Sequence, residues 1–325
     1  MTDTVVDGAF VDDPSVEDQS VEDESVVRAR EVKALARREG WKRRLPILPA
    51  LIFTIVVTQI PFLFTLFYSL TDWNISSIEP REFIGFDNYT SLNNPGEKFF
   101  REAAWVSVQM TVIAVLGSLF VGTGLAILLD RKFLGQGFIR TLLITPFLVM
   151  PVVASLLWKT QMFNKTFGLL NWLIESLGFE GIEFASRYPM ASVITVLIWQ
   201  WSPFMMLIVL AGLQGQDTST LEAARVDGAT TFGIFRQITF PQLRPYLELG
   251  TLLGAIYLIQ VYDHIEVITG GVGTKNLPFW IAQRSIGGGN LFGLASAYSI
   301  LVVIASIIIA NIGLRVLSNL LEDDS

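Results

Sequence analysis

The stretch Tyr188-Pro-Met-Ala-Ser-Val-Ile-Thr-Val-Leu-Ile-Trp-Gln-Trp-Ser-Pro-Phe-Met-Met-Leu-Ile-Val-Leu-Ala-Gly-Leu213 runs for 26 residues without an Asp, Glu, Lys or Arg. A helix needs about 20 mostly apolar residues to cross roughly 30 Å of hydrocarbon. This segment is therefore long enough to span a bilayer. Lipid offers no water to an open strand, and the run is far too long for a barrel strand, so a helix is the predicted element. Charge-free stretches recur at 45–70, 105–129, 141–158 and 291–314, and 246–262 is apolar apart from Glu248 at its start. The expected fold class is all-α: a polytopic membrane protein with six transmembrane helices.

Composition agrees. Of 325 residues, 51% are hydrophobic and 16% charged, against about 25% charged in a soluble domain. The chain has no cysteine and one histidine, which excludes thiol redox chemistry and offers no Cys/His zinc set. The net charge of -7 is local in origin. Residues 1–27 hold nine acids and no base, which leaves 21 acids against 23 bases in 28–325. That acidic tail, with its repeat of Ser15-Val-Glu-Asp at Ser20, is predicted to be disordered. Residues 28–44 then carry eight cations against Glu31 and Glu39, a basic juxtamembrane segment that the positive-inside rule places in the cytoplasm. Six spans bring the tail 318–325 back to the same side, so both termini are expected to be cytoplasmic in a multi-pass inner-membrane protein. On this topology 15 of the 23 bases are cytoplasmic, and Trp73, Trp105, Trp158, Trp172 and Trp280 fall near boundaries. A span follows the basic run at once, which argues against nucleic-acid binding. The run is also too long, and starts too late, for a signal peptide. Prolines at 46, 49, 61, 146, 151 and 203 predict bent spans.

The cytoplasmic loop 214–245 is patterned. Ser219 followed by Glu222 reads as a capping box, starting a helix that ends at Gly228, a residue suited to a left-handed cap. A second helical stretch, Thr231 to Thr239, leads to Pro241 and Pro245. Leu221, Val226, Phe232 and Phe235 are apolar groups outside lipid, as a docking element would present them.

Glu222-Ala-Ala-Arg-Val-Asp-Gly228-Ala, then Phe232 and Phe235, then Ile238-Thr-Phe-Pro241 and Pro245, resembles the EAA loop of binding-protein-dependent ABC importer permeases. Trp199 to Met206 with Ala211-Gly-Leu-Gln, Pro146 to Trp158, Gly168-Leu-Leu-Asn171 and Phe83-Ile-Gly-Phe-Asp-Asn-Tyr89 are similar to the carbohydrate, maltose-type branch. The first span with Ser69-Leu-Thr-Asp-Trp73 is more similar to the first permease of the usual pair. The resemblance covers 45–315. One departure is Gly270-Gly-Val272-Gly, where the branch commonly has Gly-Gly-Pro.

The resemblance implies that 45–317 forms the transmembrane domain of a transport subunit, not an enzyme. Its EAA helix would lie in a groove of a cytosolic ATPase subunit. Glu222 would face a basic group there, or only cap its own helix. Gly228 would permit the turn, Phe232 and Phe235 would pack in the groove, and Ala223, Ala224, Asp227 and Pro241 would complete the coupling motif. The implied partners are a second permease in a heterodimer, two ATPase subunits, an extracytoplasmic sugar-binding protein and the lipid bilayer. No cofactor would be bound by this chain, with ATP and Mg on the ATPase subunits. Gly270 to Lys275 lacks the ending and context of a phosphate loop.

Gln59, Gln109, Gln200, Gln260 and Tyr257 are polar groups inside spans, where they usually face a cavity or another helix. In this family the sugar-facing side chains sit on the helices flanking the EAA loop. Carried over, that gives Gln200, Trp201 and Phe204, with Tyr257 and Gln260; each set shares a helical face. Helix–helix hydrogen bonding is the alternative for each. No charged pair crosses mid-membrane, which argues against ion coupling. Asp263, His264 and Glu266 read as a solvated boundary, with a metal or proton site as the alternative. The implied function is ATP-driven sugar import by alternating access. A polyol or glycerol phosphate permease is the alternative within transport. A membrane enzyme would want a Ser/His dyad or paired acids inside its spans, whereas the one histidine here sits at a boundary; a membrane sensor or scaffold could use the same docking loop.

Because the acidic tail reads as a spacer, deleting residues 2–27 should leave uptake by the assembled importer within about twofold of wild type, since no packed contact is lost. A larger loss, measured as initial uptake rate at equal membrane abundance, would make the tail a functional contact.

Overall fold

A computed structural model of the chain describes residues 46–90, 98–131 and 133–323. The acidic tail 1–27 and the basic segment 28–44 lie outside the described residues. In chain order the helices are α1 (Leu48–Ser69), α2 (Asp87–Thr90), α3 (Lys98–Leu129), α4 (Gln136–Leu148) and α5 (Pro151–Leu157), the last continued by a π turn at Trp158–Met162. Then come α6 (Leu169–Ser176), α7 (Phe184–Arg187), α8 (Pro189–Gln214), α9 (Thr218–Val226) and α10 (Thr231–Ile234). A second π turn, Phe235–Thr239, joins α10 to α11 (Phe240–Leu258), and α12 (Asp263–Ile268), α13 (Leu277–Ser285) and α14 (Phe292–Asp323) complete the chain. Among the described residues there is no sheet, only the isolated bridges Thr71–Phe83 and Asn74–Leu291.

Helices α1, α3 and α8 are each long and apolar enough to cross a membrane, and α4 with α5 forms a further, broken candidate. The chain divides into two units, 1–64 and 65–325, with the boundary inside α1. Within the first unit no residue from Leu48 to Phe64 is buried. The second is built around α3 and α8, which run along each other and meet α11. Met110, Ala114, Val115, Val193, Val196, Leu197 and Leu258 form their shared core.

Small residues let these helices approach, as they do where lipid supplies no hydrophobic drive between spans. A Cβ on Gly122 would lie 2.7 Å from the Met205 Cβ and 2.8 Å from the Ser202 carbonyl. One on Gly254 would lie 2.6 Å from the Met205 Cε. Met205, fully buried, fills the space these two glycines leave.

One expected span and one expected loop helix differ in shape. The stretch 141–158 is not one helix but α4 and α5, bent by 101°. The cause is local: Val149 is extended (φ -75°, ψ 135°), and Pro151, with no amide to donate, opens a new helix. The stretch 231–239 does not end at Pro241. The chain passes through the π turn directly into α11, with Pro241 in its first turn, where a missing amide costs little. Glu248, the acid at the start of the expected fifth span, is paired by Arg244 at 2.9 Å one turn earlier.

Gly122→Val should destabilise the chain by about 1–3 kcal/mol, the usual range for overpacking a filled core. Gly124→Ala, whose Cβ would meet nothing within 4 Å, should be neutral. Thermal melting of the two variants in detergent checks the contrast.

Candidate functional site

The 214–245 loop is a pair of helices turned at a glycine. Helix α9 starts one residue before the expected capping box. Asp217 is the N-cap, and its carboxylate accepts from the Ser219 amide at 2.9 Å and the Ser219 hydroxyl at 2.7 Å. An ionised carboxylate is a stronger acceptor than a hydroxyl, so Ser219 serves as donor and Glu222 is not drawn back into a box. The same hydrogen bonds, the hydroxyl's first, hold the Asp217 pKa below its ordinary value. At the other end Ala229 donates to the Ala224 carbonyl and Gly228 to that of Arg225, a Schellman closure with Gly228 at φ +83°. The Thr230 hydroxyl then accepts from the Gly233 amide and caps α10.

The outer face of this element is uncovered. Glu222, Ala223, Asp227 and Gly228 are exposed, as is Pro241; Val226 is 87% and Phe232 71% exposed, while Ala224 and Phe235 are half-buried. Glu222 makes no ion pair or hydrogen bond among the described residues. The base, by contrast, is pinned. The Gln216 amide donates to the Thr239 carbonyl at 3.3 Å, and the Thr239 hydroxyl donates back to Gln216 Oε1 at 3.4 Å. A Cβ on Gly212, near the end of α8, would lie 2.7 Å from the Tyr246 ring on α11. Gly212, Gln216, Thr239 and Tyr246 are not legible as partners in the sequence, because each contact joins residues 20 or more positions apart.

A second cluster lies on α8 and α11. Trp201 meets Phe204 at 5.7 Å and Tyr257 at 5.6 Å between ring centroids. Phe147 of α4, absent from the expected set, stacks on Phe204 at 5.2 Å and meets Trp201 edge-on at 5.6 Å. Tyr257 is 57% exposed, while Gln260 lies in the turn beyond the end of α11 and so shares no helical face with it; Gln260 is exposed, with its amide bonded to the Ile256 carbonyl. Gln200 stands apart. It is buried, its amide donates to the Val149 carbonyl at 2.7 Å, and its Oε1 lies 2.7 Å from His264 Nε2. His264 is therefore not part of a solvated boundary: it is 3% exposed, turned inward from α12, while Glu266 stays outside.

Residues 118–322 match the family described as the binding-protein-dependent transport system inner membrane component. The sulfoquinovosyl glycerol transport system permease protein SmoG of Agrobacterium fabrum is 33% identical over 277 residues, 83% of this chain and 88% of that protein. The trehalose/maltose transport system permease protein MalF of Thermococcus litoralis is 31% identical over 272 residues, 82% and 90%. The chain belongs to this family. It is a multi-pass membrane permease of an ABC importer. In fold the permease is similar to a chain of a bacterial ABC transporter involved in the import of the acidic polysaccharide alginate. That likeness has a TM-score of 0.73 at 16% identity and covers 87% of the permease and 96% of that chain.

The cap of α9 gives the permease a titratable foot. Asp217 has a lowered pKa, so its contribution is present above the ordinary value of 3.8 and is lost only as pH falls through the lower, folded one. Asp217→Ala should speed amide exchange at 219–221 several-fold at neutral pH, while Asp217→Asn, which still accepts, should stay close to wild type. Hydrogen–deuterium exchange of the loop peptides reads the difference.

Proposed function

We propose that this permease is one half of the translocation path of an ATP-driven sugar importer, with six spans and both termini in the cytoplasm. The observation that carries the reading is the α9–α10 element: its outer face is uncovered while its base is pinned to both α8 and α11. Such an element suits a cytosolic ATPase subunit that pushes from outside the bilayer. Glu222 would meet a basic group of that subunit, and Val226, Phe232 and Phe235 would seat in its groove, where apolar groups lose water. Closure of two ATPase subunits on ATP and Mg would then move α8 and α11 together. Coupling of this kind links two separate sites through two states, open to either side. A second permease would supply the other half, and an extracytoplasmic binding protein would deliver the solute.

The aromatic cluster supports a sugar as that solute. Phe147, Trp201, Phe204 and Tyr257 offer ring faces for the C–H faces of a pyranose, and Gln260 offers an amide to its hydroxyls. None of the five is charged, which favours a neutral sugar over a glycerol phosphate. The relatives named for trehalose/maltose and sulfoquinovosyl glycerol support a sugar or sugar derivative, the first neutral and the second bearing a sulfonate.

Glu222→Lys and Gly228→Pro should each cut ATP-dependent uptake by at least about tenfold, with the permease still in the membrane. The first places a cation where a cation is to be met. The second cannot adopt φ +83°, since proline is held near -65°. Uptake of radiolabelled trehalose and maltose into cells carrying the whole importer, normalised to permease abundance, is the measurement. Wild-type rates in both variants would refute the coupling role.

A further inference from the structure

Gln200 ties together three segments that are far apart in sequence. The Val149 carbonyl sits in the break between α4 and α5 and does not belong to either helix ladder: α5 begins by bonding the Met150 carbonyl to the Ala154 amide at 2.9 Å. In an apolar interior a carbonyl without a partner is costly. The Gln200 amide supplies that partner at 2.7 Å from the middle of α8. This contact fixes the rest. A carbonyl can only accept, so the NH2 end of Gln200 must face Val149, and Oε1 must face His264. His264 Nε2 is therefore the donor in the 2.7 Å contact, which sets its tautomer. Gln200 and His264 are 4% and 3% exposed, so neither has a ring or amide face open to a solute. A second tie supports the same junction, since Lys159 Nζ of the π turn after α5 donates to the Val267 carbonyl of α12 at 2.6 Å.

The three segments so joined are those that present the aromatic cluster. Phe147 stands two residues before Val149, Trp201 follows Gln200, and Tyr257 lies on α11, which leads into α12 and His264. We infer that Gln200 and His264 are positioning residues, which hold the 101° bend of α4–α5 against α8 and so set the spacing of Phe147, Trp201 and Tyr257. The transport consequence rests on the reading of that cluster as the sugar path; the geometric one does not. Gln200 then acts on the solute only through the rings it places.

The test uses the assembled importer with cysteine-free partner subunits. This chain has no cysteine of its own, so spin labels at Leu148→Cys and Glu266→Cys, both exposed, report the distance between the bend and α12. Gln200→Leu and His264→Leu should broaden and shift that distance. His264→Gln keeps a donor for Oε1 and should restore it. In parallel, both Leu variants should raise the half-saturating concentration for radiolabelled trehalose or maltose by about tenfold, in keeping with the loss of one buried hydrogen bond. Maximal rate per transporter should change less. A merely structural role would lower the amount of transporter and leave half-saturation where it was. Unshifted label distances in both Leu variants overturn the proposal, and so does failure of His264→Gln to recover what His264→Leu loses. If the wild type takes up neither sugar, the sugar reading falls while the label distances still decide the positioning.

Discussion

Inside a packed apolar body a backbone carbonyl has no water to turn to, and the fold is arranged around that constraint. Within α3, which holds no proline, the helical ladder meets it without help. Each place where the ladder stops needs a substitute, and four buried side-chain amides supply one. Asn88 donates to the Ser69 and Thr71 carbonyls at the end of α1, each at 2.9 Å. Asn171 donates to the carbonyls of Asn164 and Ile182 and accepts from the Ile182 amide. Gln200 serves Val149 in the α4–α5 break, and Asn276 donates to the Val261 carbonyl just beyond α11 while capping α13 through Phe279. All four are 8% exposed or less. Each such amide, if replaced by an apolar residue, leaves at least one buried or half-buried carbonyl without that donor, at a cost of up to about 1–3 kcal/mol.

The same economy of contacts leaves the loop lightly held at its face and pinned at its root. Its outer helix α9 is held by a cap, a glycine closure and little burial. Its root is held by Gly212 against Tyr246 and by the reciprocal Gln216–Thr239 pair. Under the proposed function, a push on Phe232 is transmitted because α10 continues through a π turn into α11 without a free joint. A flexible linker at Pro241 would have absorbed the same push.

Much of this is legible in the sequence, and the parts that are not share a cause. The apolar segments could be read because charge is expensive in lipid and its absence over 20 residues is conspicuous. Gly228 could be read as a left-handed cap because the residues before it are helical in pattern and only glycine turns there cheaply. The prolines were ambiguous: Pro146 and Pro203 lie inside continuous helices, while Pro151 begins a new one. What separates them is the extended Val149 and its bond to Gln200, 51 positions on, and nothing near Pro151 encodes a partner so distant. The α9 cap fell to Asp217 instead of Ser219 because both types fit an N-cap and their competition is settled by charge. His264 was misplaced for a similar reason, since Asp263 and Glu266 beside it suggest water while the helix turns it inward. Asn88 heads a glycosylation sequon by pattern, yet its amide is buried and committed to two carbonyls, which leaves it no role as an acceptor.

An amide in an apolar helix carries two readings, a hand for a ligand or a stand-in for the backbone, and sequence alone weighs them equally. Geometry separates them here. Gln200 has both ends spent on protein and lies out of reach of solvent. Gln260, exposed in the turn just beyond α11, spends only its NH2 group, on the Ile256 carbonyl near the end of that helix. The amide that bonds the frame is therefore not the one that, under the proposed function, would meet a solute. Under the proposed function the frame comes first, because ring faces would recognise a sugar only at the spacing at which they are held. Under that function, a path with Gln200 committed to a backbone break would discriminate mainly by shape and stacking, with few hydrogen bonds to spare, and that suits a permease that releases its cargo on every cycle.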